Sequence, residues 1–517
     1  MADPFYITTA ISYPNGPPHI GHAYEAIATD AIARFQRSSG RDVFFLTGTD
    51  EHGLKMAQAA RDRNVAPASL AEEMSSLFKE MDDRLNISYD RFIRTSEPAH
   101  HRASQAIWAA MAERGDIYLG RYEGWYSVRD EAYYDEKELV VADSGEKLSP
   151  QGTLVEWTVE ESWFFRLSAY QQPLLDHYAR FPDFIRPESR RNEVMRFVEG
   201  GLSDLSISRT SFDWGIKVPD SETHVMYVWL DALTNYLTGV GYPEETETYK
   251  KFWPANIHII GKDVVRFHAV YWPAFLMSAG LSLPSQIFGH GFLLHRGEKM
   301  SKSVGNVVDP NALVDAFGVD ALRYFLLRDV TFGQDGSYSA EAIVTRVNAD
   351  LANSFGNLAQ RSLSFIARNC ERLPLTGRGD TADRELLDLV GKTVRKDVPA
   401  LFGELALSQG IEVWLKAVFA CNQYIDAQAP WALRKTDPER MNAVLATLYA
   451  AIIDLAIAIS PVIPASAAKL LDQMGVPENE RDFQALADDD RYSRLADSGF
   501  MLETPQPIFP RLEMIAD

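Results

Sequence analysis

Residues 5–22 read FYITTAISYPNGPPHIGH, and the fold turns on how this stretch divides. Its first half is apolar and β-branched: Phe5, Tyr6, Ile7, Ala10 and Ile11, with Thr8 and Thr9 between them. That is the pattern of a buried strand. The run Tyr13-Pro14-Asn15-Gly16-Pro17-Pro18 ends it, because adjacent prolines cannot continue a strand ladder. Apolar residues then recur at helical spacing, at Ile20, Ala23 and Tyr24, Ile27, Ala31 and Phe35, and stop at Gly40. Pro18 reads as a first-turn proline. His19 and His22 therefore fall in the first turn of a helix that follows a strand. Free N–H groups and the positive dipole pole at such an end favour an anion. Gly21 lets a flat group or a phosphate approach the backbone. The stretch predicts a nucleotide-phosphate site.

Working outward, DVFFLTGT at 42–49 is a second buried strand, followed by Asp50-Glu51-His52-Gly53. Strand, helix, strand in this order makes a right-handed βαβ unit, whose carboxyl ends near residues 12 and 49 are where such folds place ligands. Helical patterns follow at about 54–64, 67–85 and 98–114. From about 115 to 226 aromatics crowd short alternating runs, which reads as a β-rich insertion with helices near 168–180 and 187–199. The buried texture returns with VMYVWLDALTNYL and the strand NIHIIGKD, then a helix at 264–279 and the strand QIFGHGFLL. The two α/β segments are halves of one parallel sheet split by the insertion. A lysine- and serine-rich loop, HRGEKMSKSVGNVVDP, spans 295–310. Amphipathic helices at 340–370, 381–399, 404–428, 438–459 and 465–473 form an all-α bundle. The expected division is 1–114 and 227–294 for the halves of the α/β domain and 115–226 for the insertion, with 295–340 as loop and linker and 341–517 as the helical-bundle domain.

A chain of 517 residues holds several domains. Apolar content of 46% with 24% charged residues is that of an ordinary globular protein. No apolar run is expected to span a membrane, and no leader segment is read at the N-terminus. The two cysteines, Cys370 and Cys421, lie far apart, against a disulfide framework or a cysteine-ligated zinc and for a reducing compartment. A net charge of −21 argues against a dominant nucleic-acid surface but leaves room for local basic strips, at Arg186, Arg190, Arg191 and Arg196 and at Arg361, Arg368 and Arg372.

HIGH at 19–22 alone reads as a helix cap, and KMSKS at 299–303 alone as a solvated basic loop. In this order, one at the first βα turn and the other after the last strand of the split sheet, they are specific. The chain resembles the class I aminoacyl-tRNA synthetases, and among them the short, zinc-free methionyl-tRNA synthetases, over nearly its whole length. The resemblance implies a Rossmann-like catalytic domain, an insertion and a helical anticodon-binding domain. It implies an ATP-dependent ligase that activates methionine and transfers it to tRNA(Met). ATP enters as its Mg²⁺ complex, and no zinc or other protein-held metal is expected, since the insertion stretch YEGWYSVRDEAYYDEKEL has no cysteine. Asp130, Glu131, Asp135 and Glu136 there read as a solvated acidic loop.

By the same resemblance His19, Gly21 and His22 meet ATP, and Lys299, Ser301 and Lys302, with Ser303 beside them, clamp its outer phosphates; Lys302 leads the catalytic set His19, His22, Lys299, Lys302 and Arg209. Gly261 and Asp263 bind the ribose side, and His290 and Phe292 border the adenine. Ile11, Tyr13, Val228, Trp229, Ala232, Tyr236, Val264 and His268 line a methionine pocket, with Asp50 receiving the ammonium group. A polarizable thioether suits aromatic and small apolar neighbours. Asn353, Asn357, Arg361 and Trp431 read the anticodon by edge hydrogen bonds and stacking. A cytoplasmic monomer without a membrane partner is expected. A cysteinyl-type relative, or a tRNA-binding paralogue without catalysis, remains the alternative at this point.

Overall fold

The computed structural model describes residues 2–130, 132–142, 144–295, 298–299, 308–374 and 379–513. β1 (Pro4–Thr9) runs through the centre of the sheet, and α1 (Ile20–Ser38) returns the chain to β2 (Asp42–Thr49). β1 stops two residues earlier than its composition predicts. Ala10 gives its N–H to Ile259 O and to Glu25 Oε1, at 3.0 Å each, and Ser12 makes one isolated parallel bridge to Thr49. Pro18 lies ahead of the helix, before its N-cap His19, rather than inside the first turn.

The sheet has six strands, all parallel. With β3 (Arg91–Arg94), β4 (Ile185–Arg186), β5 (Ile257–Gly261) and β6 (Ile287–His290), their order is β3-β2-β1-β5-β6-β4. Ile7 pairs with Phe45 of β2 on one side and Ile257 of β5 on the other. The strand order reverses at β1, so a crevice opens at the carboxyl ends of β1 and β5. Both edge strands escaped the sequence reading. β3 is RFIR, and β4 is two residues long and comes from the stretch assigned to the insertion. An edge strand with charged ends is a stable arrangement, since it blocks further pairing, but it carries no apolar run to recognise.

The insertion is built on Ile117–Ser127 paired antiparallel with Glu156–Phe165, from Ile117 opposite Phe165 to Tyr126 opposite Glu156. After it, α2 (Val228–Thr238) brings the chain back to the sheet. The helix predicted at 264–279 contains a π turn at Phe267–Tyr271 ahead of the α-helix Trp272–Ala279. Such turns re-aim side chains, here His268 and its neighbours, without ending the helix.

The segment 295–340, expected as loop and linker, holds two helices, Pro310–Phe317 and α3 (Val319–Asp329). α4 (Asn357–Asn369), α5 (Leu407–Gln428) and α6 (Pro438–Ile459) form the helical bundle with shorter helices around them. α6 corrects the composition reading: its 22 residues are long and apolar enough to cross a membrane. In the fold 83% of its most apolar window is buried, so it is the core helix of the bundle. One apolar core runs from Ile7, Ile27 and Phe35 of the sheet layer through Leu322 and Phe325 to Trp414, Leu448 and Ile452 of the bundle. At that junction Arg323 and Asp30, both fully buried, pair at 2.6 Å, and Arg323 also donates to Val462 O, Pro461 O and Leu85 O.

Candidate functional site

The HIGH residues cap their own helix. His19 Nδ1 accepts from Gly21 N at 3.1 Å, and His22 Nδ1 accepts from His19 N at 3.1 Å. The rings stack with centroids 3.8 Å apart. An Nδ1 that accepts cannot carry the proton, so each neutral ring bears its N–H on Nε2. A Cβ on Gly21 would stand 2.8 Å from His19 Cε1, so glycine is what lets the first imidazole fold over the turn. The pair thus forms two oriented donors at the positive end of α1, a site suited to phosphate oxygens.

These residues border a cleft of about 410 Å³ at the carboxyl ends of β1 and β5. Every described ATP and methionine candidate other than Lys299 lines it: Ile11, Tyr13, His19, Gly21, His22, Asp50, Val228, Trp229, Ala232, Tyr236, Gly261, Asp263, Val264, His268, His290 and Phe292. Within it, a Cβ on Gly261 would meet Asp263 Oδ1 at 2.7 Å, so the carboxylate occupies the space that the glycine leaves. His290 is buried, with Nε2 at 2.7 Å from Glu25 Oε2 and Nδ1 at 2.8 Å from Gly291 O. Both neighbours are acceptors. Burial lowers the imidazole pKa, but Glu25 outweighs it and the net shift is upward.

The wall of the cleft that carries Trp229, Tyr236 and His268 is aromatic. Trp229 lies flat on Phe267, with centroids 3.7 Å apart and planes within 7°. His268 Nδ1 donates to Val264 O at 2.9 Å, so its Nε2 accepts from the Tyr236 hydroxyl at 2.7 Å. Burial pulls the His268 pKa down to about 4, so the ring is uncharged at neutral pH. Asp50 lines the same cleft, 7% exposed, its N–H bonded to Ser12 O at 2.8 Å.

Arg209 is the catalytic candidate that the structure places elsewhere. It is not among the cleft-lining residues. Its Nη1 donates to Ser208 O at 2.6 Å and Ser206 Oγ at 2.9 Å, and its guanidinium lies 4.5 Å from the Tyr133 and Tyr227 ring centres and 5.4 Å from that of Tyr126. Three aromatic faces and two serines hold it where the insertion meets the catalytic domain. Of Lys299, only the main chain is described, in the short strand Glu298–Lys299 paired antiparallel with Leu293–His295. Ser301, Lys302 and Ser303 lie outside the described residues.

The sequence reading missed Glu25, Lys55 and Asp130, which also line the cleft. Glu25 had a legible signal, since it sits one turn after His22 on the same face of α1. Asp130 did not. It was read as part of a solvated acidic loop, yet it accepts from the hydroxyls of Ser149 and Thr153 at 2.5 Å and Tyr134 at 3.0 Å. Among the described residues no group of three His, Cys, Asp or Glu side chains is placed to hold a metal ion.

In the bundle, Arg361 and Trp431 line one open groove with Arg368, Asn369 and Arg434. The Arg361 guanidinium is 5.5 Å from the Trp431 ring centre and pairs with Asp426 at 2.7 Å. Trp431 is 48% exposed, uncommon for so large an apolar ring. Asn353 and Asn357 are exposed on the same stretch of helix, although the turn through Asn348–Gly356 is π rather than α.

A family model described as tRNA synthetases class I (M) matches residues 5–363, and one described as the anticodon-binding domain of methionyl tRNA ligase matches 397–514. The methionine–tRNA ligase of Brucella suis is 59% identical over 98% of both chains, and that of Rhizobium meliloti 57% identical over 98% of both. The solved methionyl-tRNA synthetase of Mycobacterium tuberculosis in complex with methionyl-adenylate superposes with a TM-score of 0.95 at 54% identity, covering 98% of this chain and all of that one. Its apo form gives 0.88 at 50% identity, covering 99% of each chain.

Proposed function

The chain belongs to the methionyl-tRNA synthetases of class I, ATP-dependent ligases that join methionine to tRNA, and from this we propose how its own residues divide the work. In the first step a methionine carboxylate oxygen attacks the α-phosphorus of ATP, and pyrophosphate leaves. Two anions must meet, so positioning and charge stabilisation carry the catalysis. The Nε2–H groups of His19 and His22 bind phosphate oxygens at the head of α1. Lys299, Ser301 and Lys302 close on the β- and γ-phosphates, and Mg²⁺ arrives with ATP as part of the substrate. Asp263 accepts from the ribose hydroxyls, and Gly261, His290 and Phe292 frame the adenine. Asp50 pairs with the methionine ammonium, while Tyr13, Trp229, Tyr236 and His268, with Ile11, Val228, Ala232 and Val264, enclose the thioether.

In the second step the terminal ribose hydroxyl of tRNA attacks the adenylate carbonyl, and AMP leaves. Arg209 acts at a distance, fixing the insertion against the catalytic domain. Asn353, Asn357, Arg361 and Trp431 read the anticodon of tRNA(Met). The enzyme works as a monomer in the cytoplasm.

One observation carries this reading: sixteen sequence-selected residues, drawn from six separate segments, line one cleft. Methionine-dependent exchange of labelled pyrophosphate into ATP tests it. Exchange is expected with methionine alone among the twenty amino acids. Lys302→Ala is expected to lower it by roughly a hundredfold or more, the scale of losing one transition-state charge contact. Full exchange in that variant overturns the assignment.

A further inference from the structure

α2 has two working faces. Trp229, Ala232 and Tyr236 face the cleft. Asp231, Thr234 and Thr238, spaced i, i+3 and i+7, face away from it and are buried. Asp231 is fully buried, and both its oxygens are engaged. Oδ2 lies 2.7 Å from His52 Nδ1, and Oδ1 lies 2.8 Å from His100 Nε2. Burial alone would raise its pKa, but the two imidazoles outweigh it and hold the carboxyl below its ordinary range. His100 belongs to the helix Pro98–Glu113 behind α2, and its Nδ1 is 2.9 Å from Oγ1 of Thr238, the last residue of α2. His52 belongs to the loop after β2, two residues beyond Asp50.

That loop has no regular structure, yet it is held on every side. Glu51 N accepts the constraint of Thr95 by donating to its Oγ1 at 2.8 Å, Glu51 Oε1 takes Arg94 Nε at 2.6 Å, and Glu51 O takes Trp214 Nε1 at 2.6 Å. Two of these bonds tie the loop to β3 and the residue after it, and the third ties it to Trp214 in the stretch 115–226. The His52–Asp231 contact ties it to the helix that carries the apolar wall of the cleft.

We propose that Asp231 is a positioning residue for amino-acid selection: through His52 it sets the distance between the Asp50 carboxylate and the Trp229–Tyr236 wall, and so matches the span from ammonium to thioether. This rests on the reading of Asp50 as the ammonium partner. A carboxylate hydrogen-bonded to two rings is held at both oxygens, and replacing one oxygen by an amide nitrogen leaves one buried imidazole without its acceptor. The loop and helix then move independently, and the cost falls on substrates that use both anchors.

The test compares methionine with desamino-methionine (γ-methylthiobutyrate), which reaches the apolar wall but has no ammonium group. In Asp231→Asn the KM for methionine in pyrophosphate exchange is expected to rise about tenfold, with the inhibition constant of the desamino analogue and the KM for ATP within about twofold of the parent. Equal losses for methionine and the analogue, or no loss for either, overturn the proposal, since Asp231 then supports the fold or the wall rather than the spacing. If Asp231→Asn does not fold, the loop partner decides. His52→Ala is expected to reproduce the methionine-selective loss, and His52→Asn, whose amide nitrogen falls near the position of Nδ1, to restore it; identical behaviour of the two overturns the proposal. Asp50→Asn separates the premise from the inference. If that variant still prefers methionine over the desamino analogue as strongly as the parent, the ammonium role of Asp50 fails, whatever Asp231 does.

Discussion

His290 and His268 line the same cleft, and their surroundings drive them in opposite directions. His268 is buried against a carbonyl and a phenol and stays neutral. A neutral pair of polar groups suits a thioether, which offers polarizability and no charge. His290 faces a carboxylate and a carbonyl, both acceptors, and its pKa is raised. A group whose folded pKa exceeds its unfolded value of about 6.5 stabilises the protein fully below that pH and loses its contribution as pH rises through the raised value. The stability difference between the parent and Glu25→Gln should therefore be large near pH 6 and shrink toward about pH 9, as measured by denaturant melts at both. A difference that does not change with pH would mean that His290 does not titrate in this window.

At the scale of elements, the useful contrast is between α1 and the bundle groove. The head of α1 is closed by its own histidines: both spend Nδ1 on the helix end, which leaves the Nε2 of each neutral ring as the N–H. His22→Ala removes a cap as well as a donor, so it should cost about 1 kcal/mol of stability together with a much larger loss of exchange rate; a melting experiment beside the exchange assay separates the two. In the groove, Trp431 leaves nearly half its surface in water beside Arg361. Base stacking on an aromatic ring is worth about 1–3 kcal/mol. Trp431→Ala should lower kcat/KM for tRNA charging roughly ten- to a hundredfold, with pyrophosphate exchange, a reaction without tRNA, as the reference rate. A charging rate equal to the parent's would remove Trp431 from the anticodon site.

For the whole molecule, the junction between catalytic domain and bundle is a core, not a hinge. Apolar packing continues across it, and Arg323 of α3 is pinned to Asp30 of α1 and to three carbonyls. Burial raises the Asp30 pKa, but Arg323, Arg34 and Ser88 outweigh it and hold the carboxyl below its ordinary range. Its contribution to stability is present above the unfolded value of about 3.9 and is lost as pH falls through the folded one. Removing one partner of a buried pair costs roughly 3–5 kcal/mol. Asp30→Ala should show that loss in denaturant melts at neutral pH, with both domains unfolding together. Unchanged stability, or separate transitions for the two domains, would contradict a shared core. The same packing places the groove of Arg361 and Trp431 at a fixed span from the cleft.

The chain's short-range patterns determined more than its class. A strand, a proline break and a helix beginning at His19 locate the ligand end of the sheet, because strand and helix periodicities are written in consecutive residues. HIGH and KMSKS in order point to the enzyme family, and sixteen of the ATP and methionine candidates named around them line one cleft, whereas Arg209 does not. What consecutive residues do not encode, only the tertiary structure decided. β3 and β4 joined the sheet through main-chain pairing, which leaves little mark on composition. α6 is apolar enough for a membrane, and its place in the bundle core follows from the helices packed around it. Arg209 sits among Tyr126 and Tyr133, paired across one hairpin, and Tyr227 from far along the chain. Asp231 meets His52 and His100, 179 and 131 residues away in the chain, and a buried charge is tolerated only where the fold delivers its partners. Local periodicity is a property of the sequence, whereas the pairing of distant polar groups exists only once the chain has closed around them.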